Sequence, residues 1–304
     1  MDNAGLSLDR MRTFVRVAER GNLSMVAREL SVGQSTVTRH LNELEEAVGV
    51  PLLSRTTRRV TLTDEGSRYY TNCLQILRLV EQAAEEARDA RQAPAGAVRL
   101  SCTAALGVMH ITRLIFEFQD KHPDIRVDLN LTDERIDLVR EGIDVALRLG
   151  PLADSSMKLH ALGDSHRLLV GAPSYLSVYG RPERPADLSR YESVVMFNVA
   201  GSDQIILSSH DGTSLMVPVS GKLRVDHGLA AREAFAAGRG IGPAHLVHDL
   251  LDNGQLEVRL GDYGLAPVPV SLLIVPERAA IARVRLLVDF LAAEISKLPG
   301  IRRA

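Results

Sequence analysis

Tryptophan is absent, aromatic residues make up 4% of the chain, and 304 residues include two cysteines. Each scarcity closes off a class. Cys73 and Cys102 lie far apart and form no Cys-x-x-Cys pair, so a disulfide framework is not expected and a reduced, cytoplasmic compartment is. No apolar run approaches the roughly 20 residues that cross a bilayer, and the opening Met1–Met11 lacks the basic-then-apolar order of a secretory signal. No membrane partner is expected. Charge of one sign is also lacking: 36 Lys and Arg stand against 38 Asp and Glu, a formal net charge of −2, which argues against a chain that is basic throughout.

Catalytic signatures are missing as well. No nucleophile elbow, phosphate-binding loop or zinc-protease motif occurs, and no carboxylate is flanked by partners that mark a catalytic acid or base. Catalysis is therefore not expected. His245 and His248, with His227 upstream, fall short of the three or four converging ligands that zinc needs, and Pro243 opening a helix accounts for that region. Residues 237–244, AGRGIGPA, contain a glycine-rich run but lack the acid that a dinucleotide loop requires about twenty residues on. No metal and no cofactor is expected.

What is present is uneven. The length suggests two to three domains. Up to Val60 there are nine Arg against seven Asp and Glu, a balance of +2, so the remainder carries −4 of the total −2. All the positive residues of that first segment are Arg, which suits bidentate contacts to phosphate and guanine.

Within that segment, Val37, Leu41, Leu44 and Val48 recur at spacings of 4, 3 and 4, one stripe of an α-helix. The outer face carries Ser35, Arg39, Asn42 and Glu46, flanked by Thr36, Thr38 and Glu43. Its first half offers hydroxyls and a guanidinium; its second half is acidic. That polarity fits the recognition helix of a helix-turn-helix, although an ordinary amphipathic surface helix shares the spacing. Upstream, Leu8–Arg20 reads as a first helix, Ser24 as the N-cap of a second that runs through Leu30, and Ser31-Val32-Gly33 as the turn between. After Gly49, Leu52-Leu53 and Val60-Thr61-Leu62 read as two short strands around a tip bearing Arg55, Arg58 and Arg59, a wing or else a solvated charged loop.

Taken together, the run ARELSVGQSTVTRHLNELEEAVGVPLLSRTTRRVTLTDEG, Ala27 to Gly66, resembles the N-terminal domain of LysR-type transcriptional regulators. There are departures: Gly33 stands where the family usually places a capping Ser or Thr, Ser35 replaces a frequent Pro, and Leu53-Ser54 replaces the usual Phe and charged residue. The resemblance implies double-stranded operator DNA as partner, with Ser35, Thr36, Thr38 and Arg39 reading bases or gripping phosphates, Gln34 and His40 as secondary candidates, and Arg55, Arg58 and Arg59 on the backbone.

Thr63 is placed to cap the next helix, with Asp64 and Glu65 in its first turn complementing the macrodipole. Tyr69, Cys73, Ile76, Val80, Ala83 and Ala87 then form a heptad-like seam, with Cys73 read as a small packing residue. The resemblance makes this the family's linker helix, which pairs two subunits, so a homodimer or homotetramer is expected, with RNA polymerase as a further partner. Gln92–Gly96 is the clearest hinge. Beyond it strands and helices alternate: strands at 98–102, 125–131 and 144–148, a helical stretch at 135–142, a hairpin over 205–219, a strand at 270–275, and a closing helix at 280–297.

Two such halves resemble the family's effector domain, a two-lobed α/β architecture of the periplasmic-binding-protein kind, with crossings expected near Asp164–Arg167 and Pro269–Leu273. The expected whole is an α/β chain with a winged helix-turn-helix (1–63), a linker helix (64–92) and an effector-binding domain (93–304), whose lobe I covers about 96–165 and 272–304 and lobe II about 166–271. Ligands in open α/β sheets sit beyond the carboxyl ends of strands. That rule, with the resemblance, selects Thr103, Ala104, Ala105, Thr132, Arg148, Phe197, Asn198, Asp226 and Gly242 for a small-molecule effector, with Asp133, His227 and Pro243 beside them. Thr103 and Arg148 are suited either to an anion or to internal capping and pairing. Ala104 and Ala105 replace hydroxyls common in relatives, which leaves a less polar pocket. Set against this regulator is a small-molecule binding protein whose N-terminal domain docks to a protein rather than to DNA.

Overall fold

The computed structural model describes residues 6–55, 60–89, 94–134, 136–152 and 157–302. The chain divides into two compact units, residues 1–93 with 136–143, and residues 94–135 with 144–304. No helix among the described residues is long and apolar enough to cross a membrane.

The first unit begins with helix α1 (Leu8–Arg20), capped by Ser7, whose side chain accepts the Arg10 N–H, and closed by Gly21 at φ 63°. Helix α2 (Leu23–Glu29) is capped by Asn22, whose side chain accepts the Met25 N–H at 3.0 Å. Ser24, expected to be that cap, lies inside the first turn instead: Asn22 is equally competent as a cap and sits directly after the terminating glycine. Ser31, in the left-handed region at φ 55°, turns the chain toward helix α3 (Gln34–Val48). Val37, Leu41 and Leu44 are buried against Phe14, Val17 and Val26, so the predicted stripe is the inner face. Strands β1 (Leu53–Arg55) and β2 (Val60–Leu62) pair antiparallel, Leu53 opposite Leu62 and Arg55 opposite Val60. The Glu45 carboxylate accepts the N–H groups of Leu52 and Leu53 at 2.8 and 3.0 Å, which anchors this ribbon to α3.

Thr63 caps helix α4 (Asp64–Asp89) by accepting the Gly66 N–H at 2.9 Å. Gly66 is required there, since a Cβ would lie 1.9 Å from the Leu52 carbonyl oxygen. Cys73 and Leu77 are buried in the core of this unit and Tyr69 packs beside Phe14, ring centroids 5.7 Å apart. Cys73 thus faces its own domain and not a seam, whereas Ile76, Leu79 and Ala83 are exposed. A long helix carries two stripes about 100° apart, and periodicity alone does not say which one the unit's own core takes.

The second unit has two lobes, and lobe I is a six-stranded sheet. Its strands are β3 (Gly96–Cys102), β4 (Ile125–Leu131), β5 (Val145–Leu149), β6 (Lys158–Ser165), β15 (Val268–Ile274) and β16 (Ile301–Arg302), in the order β16-β6-β15-β5-β3-β4. β3 runs parallel to both β4 and β5, while β15 is antiparallel to both β5 and β6. A helical stretch of α5 (Ala104–Leu106), a π turn (Gly107–Ile111) and α6 (Thr112–Lys121) packs with α11 (Ala282–Ile295) on this core, around Leu106, Phe118, Leu287 and Leu291. Of the expected 135–142 helix only Leu138–Glu141 is helical (α7), capped by Asp137 and counted with the first unit, and residue 135 lies outside the described residues.

Lobe II follows β6. Helices α8 (Pro173–Tyr179), α9 (Gly228–Ala236) and α10 (His248–Asp252) accompany three small sheets. These are β12 (Ile241–Ala244), β7 (Leu168–Gly171) and β13 (Glu257–Val258); β8 (Val195–Met196) with β11 (Arg224–Val225); and the expected hairpin β9 (Gln204–Ser208) and β10 (Ser214–Pro218) with β14 (Gly264–Leu265). The first crossing, between Ser165 and Leu168, falls where expected. The second lies between Leu265 and Val268, not within 269–273, because Val268–Ile274 is one continuous strand whose first residue pairs with Ser165. The Arg167 Nε–H donates to the Ala266 carbonyl at 2.7 Å, tying the two crossing segments together.

Candidate nucleic-acid interface and ligand cleft

The charges of the first unit segregate. Four arginines from α1 are paired with acids: Arg10 with Glu43 at 2.5 Å, Arg12 with Asp9 at 3.5 Å, Arg16 with Glu19 at 3.3 Å and Arg20 with Glu29 at 2.9 Å. Arg39 on α3 is exposed and makes no hydrogen bond or ion pair among the described residues, and Arg28 on α2 contacts no acid there, its Nε–H reaching the Ser24 carbonyl at 3.4 Å. The unneutralised cations of the two helices are therefore the ones beside the N-terminal half of α3. Arg28 was not among the residues singled out from the sequence; its signal would have been the lack of an acid three or four positions away on the same short helix.

The other expected contacts divide. Gln34 and Ser35 are exposed at the start of α3, and Thr36 is half-buried. Gln34 Oε1 accepts a hydrogen bond from the Ser24 hydroxyl at 2.9 Å. Thr38 is half-buried and its hydroxyl donates to the Gln34 carbonyl at 3.1 Å. His40 Nδ1 lies 2.9 Å from the hydroxyl of Thr13, which is buried on α1. The Arg55 backbone closes β1, while its side chain, together with Arg58 and Arg59, lies outside the described residues.

In the second unit, the carboxyl ends of β3 and β4 meet the start of α9 where the two lobes face each other. Thr103 begins α5 with its hydroxyl buried and without a hydrogen-bond partner among the described residues. The first amide of that helix, Ala104 N–H, is taken by Asp133 Oδ1 at 2.9 Å. Asp133 Oδ2 lies 3.7 Å from Nε2 of His227, which belongs to lobe II. His227 Nδ1 accepts the Leu229 N–H at 3.2 Å and so caps α9, which places the proton of the neutral ring on Nε2, facing Asp133. Arg148 donates to Ser101 Oγ at 2.8 Å and to the Leu147 carbonyl at 3.3 Å, and burial lowers the basicity of its guanidinium. Burial also pushes the neighbouring Cys102 thiol up to about 12, with Arg148 opposing in part; as a thiol it is inert packing.

Thr132 is half-buried and its hydroxyl accepts the Glu134 N–H at 3.1 Å. Ala104 is buried, and Ala105 faces Gly228, where a Cβ would stand 3.2 Å from the Ala105 methyl. On lobe II, Phe197 is 53% exposed, and Asn198 Nδ2 donates to the Asp226 carbonyl at 2.7 Å. Gly242 packs inward, where a Cβ would come 3.0 Å from the Phe235 ring. His245, weighed from the sequence only as a metal ligand, is enclosed beside Ser165 at 3.3 Å. Burial first, and the Arg167 charge second, hold its pKa down to about 4.

A three-helix winged unit with acid-free arginines on its second and third helices, in one chain with a two-lobed α/β domain, defines the class of DNA-binding regulators that carry an effector-binding domain. Residues 8–67 match the bacterial regulatory helix-turn-helix protein, lysR family, and residues 91–296 match the LysR substrate binding domain. The chain belongs to the LysR family and is a DNA-binding transcriptional regulator of that type. It is 30% identical over 296 residues to the HTH-type transcriptional activator AaeR of Escherichia coli, covering 96% of each chain. It is also 28% identical to the regulator CrgA of Neisseria meningitidis, over 94% of this chain and 96% of that one. Among solved structures, CrgA superposes with a TM-score of 0.62 at 27% identity, covering 94% of this chain and 98% of that one. The Vibrio cholerae virulence activator AphB gives 0.64 at 26% identity, covering 95% and 99%. Nothing in these comparisons supports the protein-docking alternative.

Proposed function

We propose that the chain works as a cytoplasmic homodimer or homotetramer that lays the N-terminal half of α3 in the operator's major groove. Arg39 and Gln34 read base edges there, while Ser35, Thr36 and Thr38 contact phosphates or bases. Arg28, with the wing arginines Arg55, Arg58 and Arg59, holds the backbone; His40 serves the reader from behind. The working boundaries are 1–63 for the reader, 64–92 for the linker helix and 93–304 for the effector-binding domain.

A small molecule closing on Thr103, Ala104, Ala105, Thr132, Arg148, Phe197, Asn198 and Asp226 shifts the assembly between two arrangements, which requires unequal affinity for them. Gly242 shapes the wall by packing on Phe235 rather than by touching the ligand. RNA polymerase is the downstream partner, and no catalytic step is assigned. The observation that carries this reading is the exposed, acid-free Arg39 on a helix whose opposite stripe is buried. The test is a salt titration of the full chain on duplex DNA: log affinity should fall against log salt with a slope of about −0.9 per phosphate contacted. A slope near zero rejects the phosphate grip.

A further inference from the structure

Gln34 opens α3 without help from a capping side chain, since Gly33 before it has none to offer. A glutamine in that position on an exposed helix end has three free side-chain torsions and two indistinguishable amide orientations. Here a contact from the neighbouring helix limits where that amide sits. Ser24 sits in the first turn of α2, ten residues earlier, and its hydroxyl lies 2.9 Å from Gln34 Oε1. Oε1 has no proton, so the serine donates and the amide oxygen accepts.

A hydroxyl also accepts, so with the amide turned over the same contact would form from Nε2, and in either orientation the amide is held at the same place. What remains to face outward is one lone pair of Oε1 and both N–H groups of Nε2. An acceptor beside a donor is thus left free, the pattern complementary to the N6–H and N7 edge of adenine in the major groove. Both residues are exposed, as are Arg28 and Arg39, and the Arg28 Nε–H is directed to the Ser24 carbonyl.

We infer that Ser24 is a positioning residue for operator recognition: it holds the Gln34 amide in place to read one base, an adenine, in each half-site. The inference rests on the proposal that Gln34 faces a base, and the experiment separates the two. The full chain and its Ser24→Ala, Ser24→Thr, Gln34→Ala and doubly substituted Ser24→Ala/Gln34→Ala variants are each put through binding selection from a randomised duplex DNA pool, followed by affinity measurement over a range of salt. Ser24 is exposed within a helix, where Ala and Thr are both tolerated, so folding is preserved.

The expected result is that Ser24→Ala relaxes preference at one base pair per half-site by roughly fivefold to tenfold. It should be the same pair that Gln34→Ala affects, with no further loss in the double variant, an unchanged salt slope, and recovery in Ser24→Thr. If Gln34→Ala alters base preference and Ser24→Ala does not, the positioning role is overturned and Gln34 stands. Should neither alter it, both fall. A uniform loss across sequences with a shallower salt slope would make Ser24 a phosphate contact instead, and equally overturns the proposal.

Discussion

The Thr13 hydroxyl on α1 stands 2.9 Å from His40 Nδ1 on α3 and also donates to the Asp9 carbonyl at 2.7 Å. Its single proton is committed to Asp9, so toward His40 it accepts, and the imidazole must carry its proton on Nδ1. His40 therefore fastens the reading helix to the helix behind it. Replacing Thr13 by Val removes the acceptor and strands a ring N–H; we expect a loss of about 1–2 kcal/mol in unfolding free energy with base preference unchanged. Thermal unfolding of the full chain, alongside binding selection, checks both halves, and an unaltered melting curve would count against the link.

Arg39 and Arg28 should fail differently. Arg39→Ala is expected to cost on the order of 1–3 kcal/mol of discrimination at one base pair. Arg28→Ala should weaken binding evenly across sequences and reduce the salt slope by about 0.9. Competition titrations with matched and mismatched duplexes at several salt concentrations distinguish the two; the reverse pattern would exchange their roles.

Asp133 caps the helix that begins at Ala104 and faces His227 across the cleft. Asp133→Ala should lower stability by about 0.5–2 kcal/mol through the lost cap. Asp133→Asn, which keeps an acceptor, should restore most of it. Equal losses in the two variants, measured by chemical unfolding, would show that the charge facing His227 matters more than the cap.

His245 gives the fold a defined sensitivity to acid. Its folded-state pKa, about 4 against an ordinary 6.5, is depressed, so between those values the unfolded chain binds the proton more readily. The stabilising contribution is complete above about 6.5 and is lost as pH falls toward 4, amounting to about 3 kcal/mol. His245→Gln has no such group. The stability difference between the two proteins should therefore change by about that amount between pH 7 and 4, and a flat difference would refute it.

The inner face of the reader was legible because Val37, Leu41 and Leu44 repeat at helical spacing over a long enough run. So were the wing strands, and the hairpin of lobe II. The reading went astray where two residues competed for one task. Asn22 and Ser24 can each cap a helix, and only the chain's exit from Gly21 decides between them. Cys73 belongs to a periodic stripe, but the neighbouring stripe is periodic too, and tertiary packing chooses which is buried. Contacts distant in sequence, such as Ser24 with Gln34 or Asp133 with His227, leave no local pattern to find. The second crossing was misplaced because two prolines, Pro267 and Pro269, flank Val268 and the sequence does not say which of them lies inside the strand.

Ser165 and Val268 are partners across the β6–β15 ladder, so everything from residue 166 to residue 267 leaves and rejoins the sheet one strand-spacing apart. Lobe II is in this sense a cassette: a recombination event that exchanged it would join its ends to a ladder already closed on either side. The receiving scaffold would need to match the clasp at Arg167 and Ala266 and the contacts of Asp133 with His227, Ala105 with Gly228 and Ser165 with His245. Such an exchange would alter one wall of the proposed ligand site and leave the element that reads the genome untouched.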